Sequence, residues 1–450
     1  MAKVAYIGGG GVRTPLVIFG VNECAQQLSV DEFVVFDVAR ERAERMASLG
    51  QAVVRREGGS LRVRQASTIE EAVEGADFVL NSIRVGGIAS RAHDEQVAIE
   101  HGYPGQETTG PAGMAMALRT VPIAVEQARL VHRLAPQAWL INFTNPAGLI
   151  TQAILSNSDV RAVGICDTPS EMLHRIAIAL GADPEAVRCE YVGLNHLGWV
   201  RKIELQGEDV TDRVLADDRI LEQLYPAPMF DKELIRSLRL IPTEYLYFYY
   251  ARSRALANQR AHGSTRGLQV GRLNDELFQR LGHLLAAHDE SGALTTYMNY
   301  LNERSGTYMQ LESTQECGAT SDMTHDEDPF RAANGYHRIA LAVMCALRGK
   351  KDQRLIVNVR NQGTVEGIDA NDVVEVPCQI GVNRINPERC GSLPAAVRGL
   401  VLAVKEYERA TIDAAMTGSM QAARKAMLLY PAIGEWEPSA GLLRDFKFGK

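Results

Sequence analysis

Two short segments carry the strongest chemical signal in the chain: Cys166 stands in Gly-Ile-Cys-Asp-Thr-Pro (164–169) and His196 in Gly-Leu-Asn-His-Leu-Gly-Trp (193–199). A thiolate and an imidazole brought together make a partial metal shell with positions left open for substrate oxygens. A cysteine or histidine taken alone is more often a core residue. Here both follow a half-chain that reads as a dinucleotide-binding fold. The expected chemistry is therefore that of an oxidised nicotinamide and a divalent cation held over one substrate.

The nucleotide signal lies at the N-terminal end. Gly8, Gly9, Gly10 and Gly11 separate the first strand-like run from a helix that opens at Thr14-Pro15. Glycines there permit a tight turn and a close backbone approach to a pyrophosphate, which is held by amide N–H groups and a helix N-terminus. Asp37, at the end of the second strand-like run, is placed to accept bonds from an adenosine ribose, and its charge favours NAD over NADP. The fingerprint is imperfect, because reading from Gly8 puts Arg13 at the third glycine position and reading from Gly9 puts Thr14 there. Helix and strand must then pack differently from the usual motif.

The elements that would position these groups follow from hydrophobic patterning. Strand-like runs at 3–7, 32–36, 61–64, 77–81, 138–142 and 160–166 alternate with helical patterns such as 40–56 and 114–134. Such alternation predicts an α/β fold, a doubly wound (Rossmann-type) parallel sheet with helices on both faces, over residues 1–184. Residues 185–450 read as a mixed α+β domain. It has a strand pair around 189–192 and 200–205, largely helical sequence over 213–302, strands at 354–359 and 372–377, and a long helical pattern over 394–427. No low-complexity linker divides the halves, so the second is expected to pack on the first and form a cleft.

Composition narrows the class. With 450 residues, 46% hydrophobic and 23% charged, core size is no limitation. A formal charge of -7 argues against nucleic acid or anionic lipid as partner. Seven cysteines (Cys24, Cys166, Cys189, Cys317, Cys345, Cys378, Cys390) without repeated spacing suit a reducing cytoplasm better than a disulfide framework. No secretory signal or membrane-spanning run is expected.

Further polar segments fall near strand carboxyl ends, where a doubly wound sheet presents its ligand crevice. They are Arg84-Val85-Gly86-Gly87 with Arg91 and Asp94-Glu95, Gly105-Gln106-Glu107-Thr108, Asn142-Phe143-Thr144-Asn145-Pro146 and Cys166-Asp167. Together with Gly193-Leu194-Asn195-His196 and Ile241-Pro242-Thr243-Glu244-Tyr245, the series resembles glycoside hydrolase family 4, from Val4 through Val373-Val374-Glu375-Val376-Pro377. The resemblance implies a fold like that of lactate and malate dehydrogenases, a homodimer or homotetramer, and a redox-assisted elimination in place of two-carboxylate hydrolysis. In that scheme NAD+ takes hydride from sugar C3 and the ketone acidifies the C2 proton. A cation, manganese in the family, steadies the enolate; the C1 group leaves, water adds and C3 is reduced again.

What the resemblance implies for each residue is specific. Cys166 and His196 are the metal ligands. Tyr245 is the C2 base, although Tyr247, Tyr249 and Tyr250 beside it also fit a packing run. Asp167 is the general acid, or else the cap of the helix that follows it. Arg91, Asn145 and Arg266 hold the substrate and its 6-phosphate; for either arginine a surface salt bridge is the alternative. The implied substrates are small 6-phosphorylated β-glucosides. Asp167 resembles the α-glycoside branch and the Asn145, His196 and Tyr245 segments the β branch, which leaves the anomer open. Two other readings stand beside this one: a hydroxy-acid dehydrogenase and a non-catalytic regulator that binds NAD and sugar.

Overall fold

A computed structural model describes residues 2–306, 309–313, 328–332 and 335–449; Cys317 lies outside them. The N-terminal half forms six parallel strands: β1 (Ala2–Ile7), β2 (Val30–Phe36), β3 (Arg62–Gln65), β4 (Phe78–Asn81), β5 (Trp139–Asn142) and β6 (Arg161–Gly164). Their order, β3-β2-β1-β4-β5-β6, is that of a doubly wound dinucleotide fold. These strands read as near-continuous apolar runs because helices cover both faces. The crossovers are made by helices such as Arg40–Arg56, which buries Ala43, Met46, Leu49, Gly50 and Val53 at helical spacing and turns Arg40, Glu41, Glu44 and Arg55 to solvent.

The sheet does not stop at β6. The second half contributes β7 (Val187–Leu194), β8 (Leu197–Leu205), β9 (Glu208–Asp209), β10 (Ile241–Pro242), β11 (Gln353–Arg360), β12 (Val365–Glu366), β13 (Val373–Gly381), β14 (Arg384–Pro387) and β15 (Gly391–Ser392). All but β12 and β15 join one 13-stranded sheet in which β11, β13, β7, β8 and β10 continue beyond β6. The seams are narrow: β11 meets β6 through Asn358 and Gly164, and β13 meets β7 through Glu375 and Gly193. Asn358 pairs with Glu375 and Gly193 with Gly198, so Gly164, Asn358, Glu375, Gly193 and Gly198 stand in one row across five strands. At Gly164 a Cβ would collide with the Thr151 side chain and crowd Asn358, which explains the glycine there.

One hydrophobic cluster runs from Ala2 to Phe446 and takes residues from both halves. One expectation needs correction. The pattern over 394–427 is two helices, Ala395–Thr417 and Met420–Leu429; left-handed Gly418 (φ 68) ends the first and the Ser419 side chain caps the second. The tyrosine run is a 3-10 turn, Glu244–Leu246, followed by a single turn, Tyr247–Tyr250. Among the described residues no helix is long and apolar enough to cross a membrane.

Candidate active site

The two expected metal ligands meet. Cys166 follows β6, and His196 occupies the tight turn between β7 and β8; Cys166 Sγ lies 3.5 Å from His196 Nε2, both buried. Ligand bonds of about 2.3 Å to sulfur and about 2.1 Å to nitrogen, roughly 100° apart, would put the two donors about 3.4 Å from each other. The pair therefore fits one ion. Burial pushes His196 down to about 3, which keeps its imidazole neutral and able to coordinate. Burial, then Glu375 and Asp167, pushes the Cys166 thiol well up, so the thiolate needs a cation beside it. Among the described residues no group of three or more His, Cys, Asp and Glu side chains gathers around an ion position.

His196 adopts φ 60, a left-handed conformation that a residue with a Cβ seldom takes. Such a position costs of order 1–3 kcal/mol and persists only where the surroundings fix it. Tyr245 helps to do so, because its ring stacks on the imidazole at 3.7 Å between centroids and 13° between planes. Three tyrosines that follow pack elsewhere; Tyr247, for example, bonds the Glu312 carbonyl. Tyr245 is thus set apart from its neighbours by position.

Asp167 stands at the N-terminus of the Thr168–Ala179 helix, yet its side chain does not cap it. Its carboxyl group takes a hydrogen bond from Tyr336 instead, and burial raises its pKa, which suits a proton donor. The Tyr336 hydroxyl also lies 4.0 Å from Cys166 Sγ. Asn145 sits in the loop after β5 with a buried Oδ1 that finds no protein donor. An unmatched acceptor at a strand end is the kind of group a ligand satisfies.

Arg91 is held by two carboxylates. Arg91, on the Gly87–Glu100 helix, bonds Glu95 at 2.7 Å and Glu107 at 2.8 Å. Glu107 also meets Arg84 at 2.5 Å; against burial, Arg84 and Arg91 hold it well below the usual carboxylate range. Glu95 in turn accepts the Gly267 N–H at 2.6 Å, which ties Arg91 to the start of the Arg266–Ala286 helix. Arg266 donates to the Arg304 carbonyl at 2.9 Å and to Gln269 at 3.2 Å.

At the nucleotide end, Gly8 has φ 87, and a Cβ on it would strike the Ser82 carbonyl. The Gly9 carbonyl accepts from Thr14 Oγ1 at 2.7 Å. Gly11 N–H closes the turn on the Gly8 carbonyl at 3.2 Å. Asp37 is half-buried and accepts from Gly10 N–H at 2.9 Å and Ala39 N–H at 2.8 Å, so the expected ribose acceptor also shapes the turn. The four glycine N–H groups are thus bonded within the protein, to Phe36, Asp37 and Gly8, and make a tight turn at the end of β1.

Sequence reasoning treated Arg13 only as an interruption of the glycine pattern. It stands exposed at the N-cap of the Thr14–Glu23 helix, its guanidinium 4.6 Å above the Tyr336 ring. Desolvation of the guanidinium opposes its charge, but Asp167, Tyr336 and Glu107 outweigh that and raise its pKa. Arg13 therefore links the glycine turn to the Cys166 cluster. Tyr336 had no local motif to mark it. Glu375 was quoted only as part of a strand, although three polar side chains converge on it; a charged residue within Val373-Val374-Glu375-Val376-Pro377 was the available signal.

A 6-phospho-beta glucosidase from Thermotoga maritima, solved with manganese, NAD+ and glucose-6-phosphate, superposes with a TM-score of 0.81 at 27% identity over 99% of this chain and 97% of that one. The phospho-alpha-glucosidase PagL of Clostridium acetobutylicum is 26% identical over 98% of this chain and 96% of its own length. A malate dehydrogenase from Picrophilus torridus shares the fold alone, with a TM-score of 0.54 at 13% identity over 92% of this chain and 98% of its own. The model of the family 4 glycosyl hydrolases matches residues 3–182, and that of the family's C-terminal domain matches residues 191–433. Since these matches take in both the glycine turn and the His196 hairpin, the chain belongs to glycosyl hydrolase family 4.

Proposed function

We propose that this chain hydrolyses small 6-phosphorylated β-glucosides by elimination and addition, using NAD+ and a divalent cation, most simply Mn2+. Residues 1–184 hold the nucleotide on Gly8, Gly9, Gly10, Gly11 and Asp37, and residues 185–450 complete the sugar cleft. Cys166 and His196 hold the cation. The nucleotide supplies reversible oxidation at sugar C3, and the cation supplies positive charge beside the C2 and C3 oxygens. Tyr245 takes the C2 proton and Asp167 gives one to the departing glycosidic oxygen. Arg91, Asn145 and Arg266 orient the sugar and its phosphate, for which a guanidinium fork is suited. The protein works in the cytoplasm as a homodimer or homotetramer, without nucleic acid or membrane; size-exclusion chromatography with light scattering tests the assembly.

The observation that carries the reading is the 3.5 Å approach of Cys166 to His196 beneath the stacked Tyr245 ring. Its test is the cleavage of chromogenic 6-phospho-β- and 6-phospho-α-glucosides with and without NAD+ and Mn2+ under reducing conditions. Cleavage that needs both cofactors and leaves no net NADH is the expected result. Stoichiometric NADH would replace the reading with a hydroxy-acid dehydrogenase, and binding without turnover with a regulator. A second reading, the α anomer, is favoured by the aspartate at 167 and by the similarity to PagL; a faster rate on the α substrate would select it.

A further inference from the structure

The row of paired residues that crosses the sheet seams carries more than structure. Cys166 lies two residues beyond its first member, Gly164, and His196 three beyond its fourth, Gly193. Between them stand Asn358 and Glu375, both fully buried. The Glu375 carboxylate collects three donors: Tyr191 O–H at 2.7 Å on one oxygen, and Asn358 Nδ2 at 3.0 Å and Asn195 Nδ2 at 3.1 Å on the other. Tyr191 reaches it by lying over Gly198, where a Cβ would collide with the phenol.

Asn195 is the residue immediately before His196. Its amide nitrogen is tied to Glu375, and its carbonyl oxygen accepts Gly148 N–H at 3.2 Å, at the start of the Ala147–Asn157 helix that follows Asn145. His196 itself has φ 60 and a buried Nδ1 with no hydrogen-bond partner, so nothing on the ring nitrogen fixes the imidazole. Tyr245 stacks on the ring, and the side-chain bonds of the preceding residue hold the turn from the sheet.

We infer that Glu375 is a positioning residue which, by gripping Asn195 from the middle of the sheet, sets the spacing of His196 from Cys166 and thereby the affinity of the site for its cation. This rests on the metal reading given above. Outer partners of metal ligands typically govern about 10- to 100-fold in affinity. Glu375→Gln removes the negative charge, so the bonds that Asn195 and Asn358 make to residue 375 lose their charge assistance. An alanine at 195 cuts the tie to the turn and leaves Glu375 its other two partners.

The experiment measures Mn2+ affinity of the full-length protein by electron paramagnetic resonance, and the sulfur-to-metal charge-transfer absorption of the Co2+-loaded protein. E375Q and N195A are compared with C166S, H196A and N361A. The last removes a buried amide that makes three bonds within its own turn, away from the metal pair. The inference expects E375Q and N195A to weaken Mn2+ by about 10- to 100-fold and to shift or weaken the Co2+ band, with NAD+ affinity unchanged. N361A lowers thermal stability but binds Mn2+ as the wild type does. Should E375Q not fold, N195A carries the test. Wild-type Mn2+ affinity and an unaltered band in E375Q and N195A overturn the inference, as does an equal loss in N361A. Wild-type affinity in C166S and H196A overturns the metal reading itself.

Discussion

Residue by residue, the site divides into groups whose protonation is fixed by burial and groups that must exchange protons. His196, pushed down to about 3, binds no proton near neutrality, whereas the Cys166 thiol is pushed up and keeps its proton until a cation arrives. Mn2+ binding at about pH 6 should then release close to one proton per ion, from the thiol, and not the further fraction that an ordinary histidine would add. Calorimetry in buffers of different ionisation enthalpy checks this; a clearly larger release would mean that His196 is protonated beforehand. Replacing Tyr245 by Phe should lower kcat by about 10²- to 10⁴-fold while KM moves little, and should slow exchange of the substrate's C2 deuterium. Undiminished exchange would count against Tyr245 as the base. Much of this was legible in sequence because Cys166, His196 and Tyr245 each sit in a short distinctive run. Arg13 and Glu375 were not, since their partners (Tyr336 and Asp167; Asn195, Asn358 and Tyr191) are brought near only by the folded sheet.

Among the elements, the turn after β1 tolerates little change. Gly8→Ala meets both a left-handed φ of 87 and the Ser82 carbonyl, whereas Gly58, with φ 66, faces open space. Gly58→Ala should cost only the conformational strain, about 1 kcal/mol. Gly8→Ala should lower the melting temperature further and weaken NAD+ binding at least tenfold. Thermal melts and NAD+ titration of both variants decide it; equal behaviour would mean that the turn adapts. The strands of the first half could be read closely from sequence because buried parallel strands leave near-continuous apolar runs. The break at Gly418 was missed because the apolar period of Ala395–Thr417 stays nearly in phase with that of Met420–Leu429 across it. Which strands pair across the seams is beyond local pattern, since each seam is a single residue pair.

For the molecule as a whole, the shared sheet and the cluster from Ala2 to Phe446 predict cooperative unfolding of both halves. Calorimetry of the cofactor-free protein should give one transition, and two resolved transitions would show that the halves melt separately. Acid should destabilise it. His196 and His337 are pushed down to about 3 and about 4 from an ordinary value of 6.5, so the unfolded chain binds more protons below that value. Their contribution is fully present above pH 6.5 and is lost progressively as pH falls toward those depressed values. Melting temperature against pH measures the slope. A last consequence concerns biosynthesis. Both donor residues leave the ribosome early, at positions 166 and 196, but β11 and β13, which stand between them in the sheet, span residues 353 to 381. A polypeptide that ends before residue 353 would lack the two strands that set the spacing of Cys166 from His196.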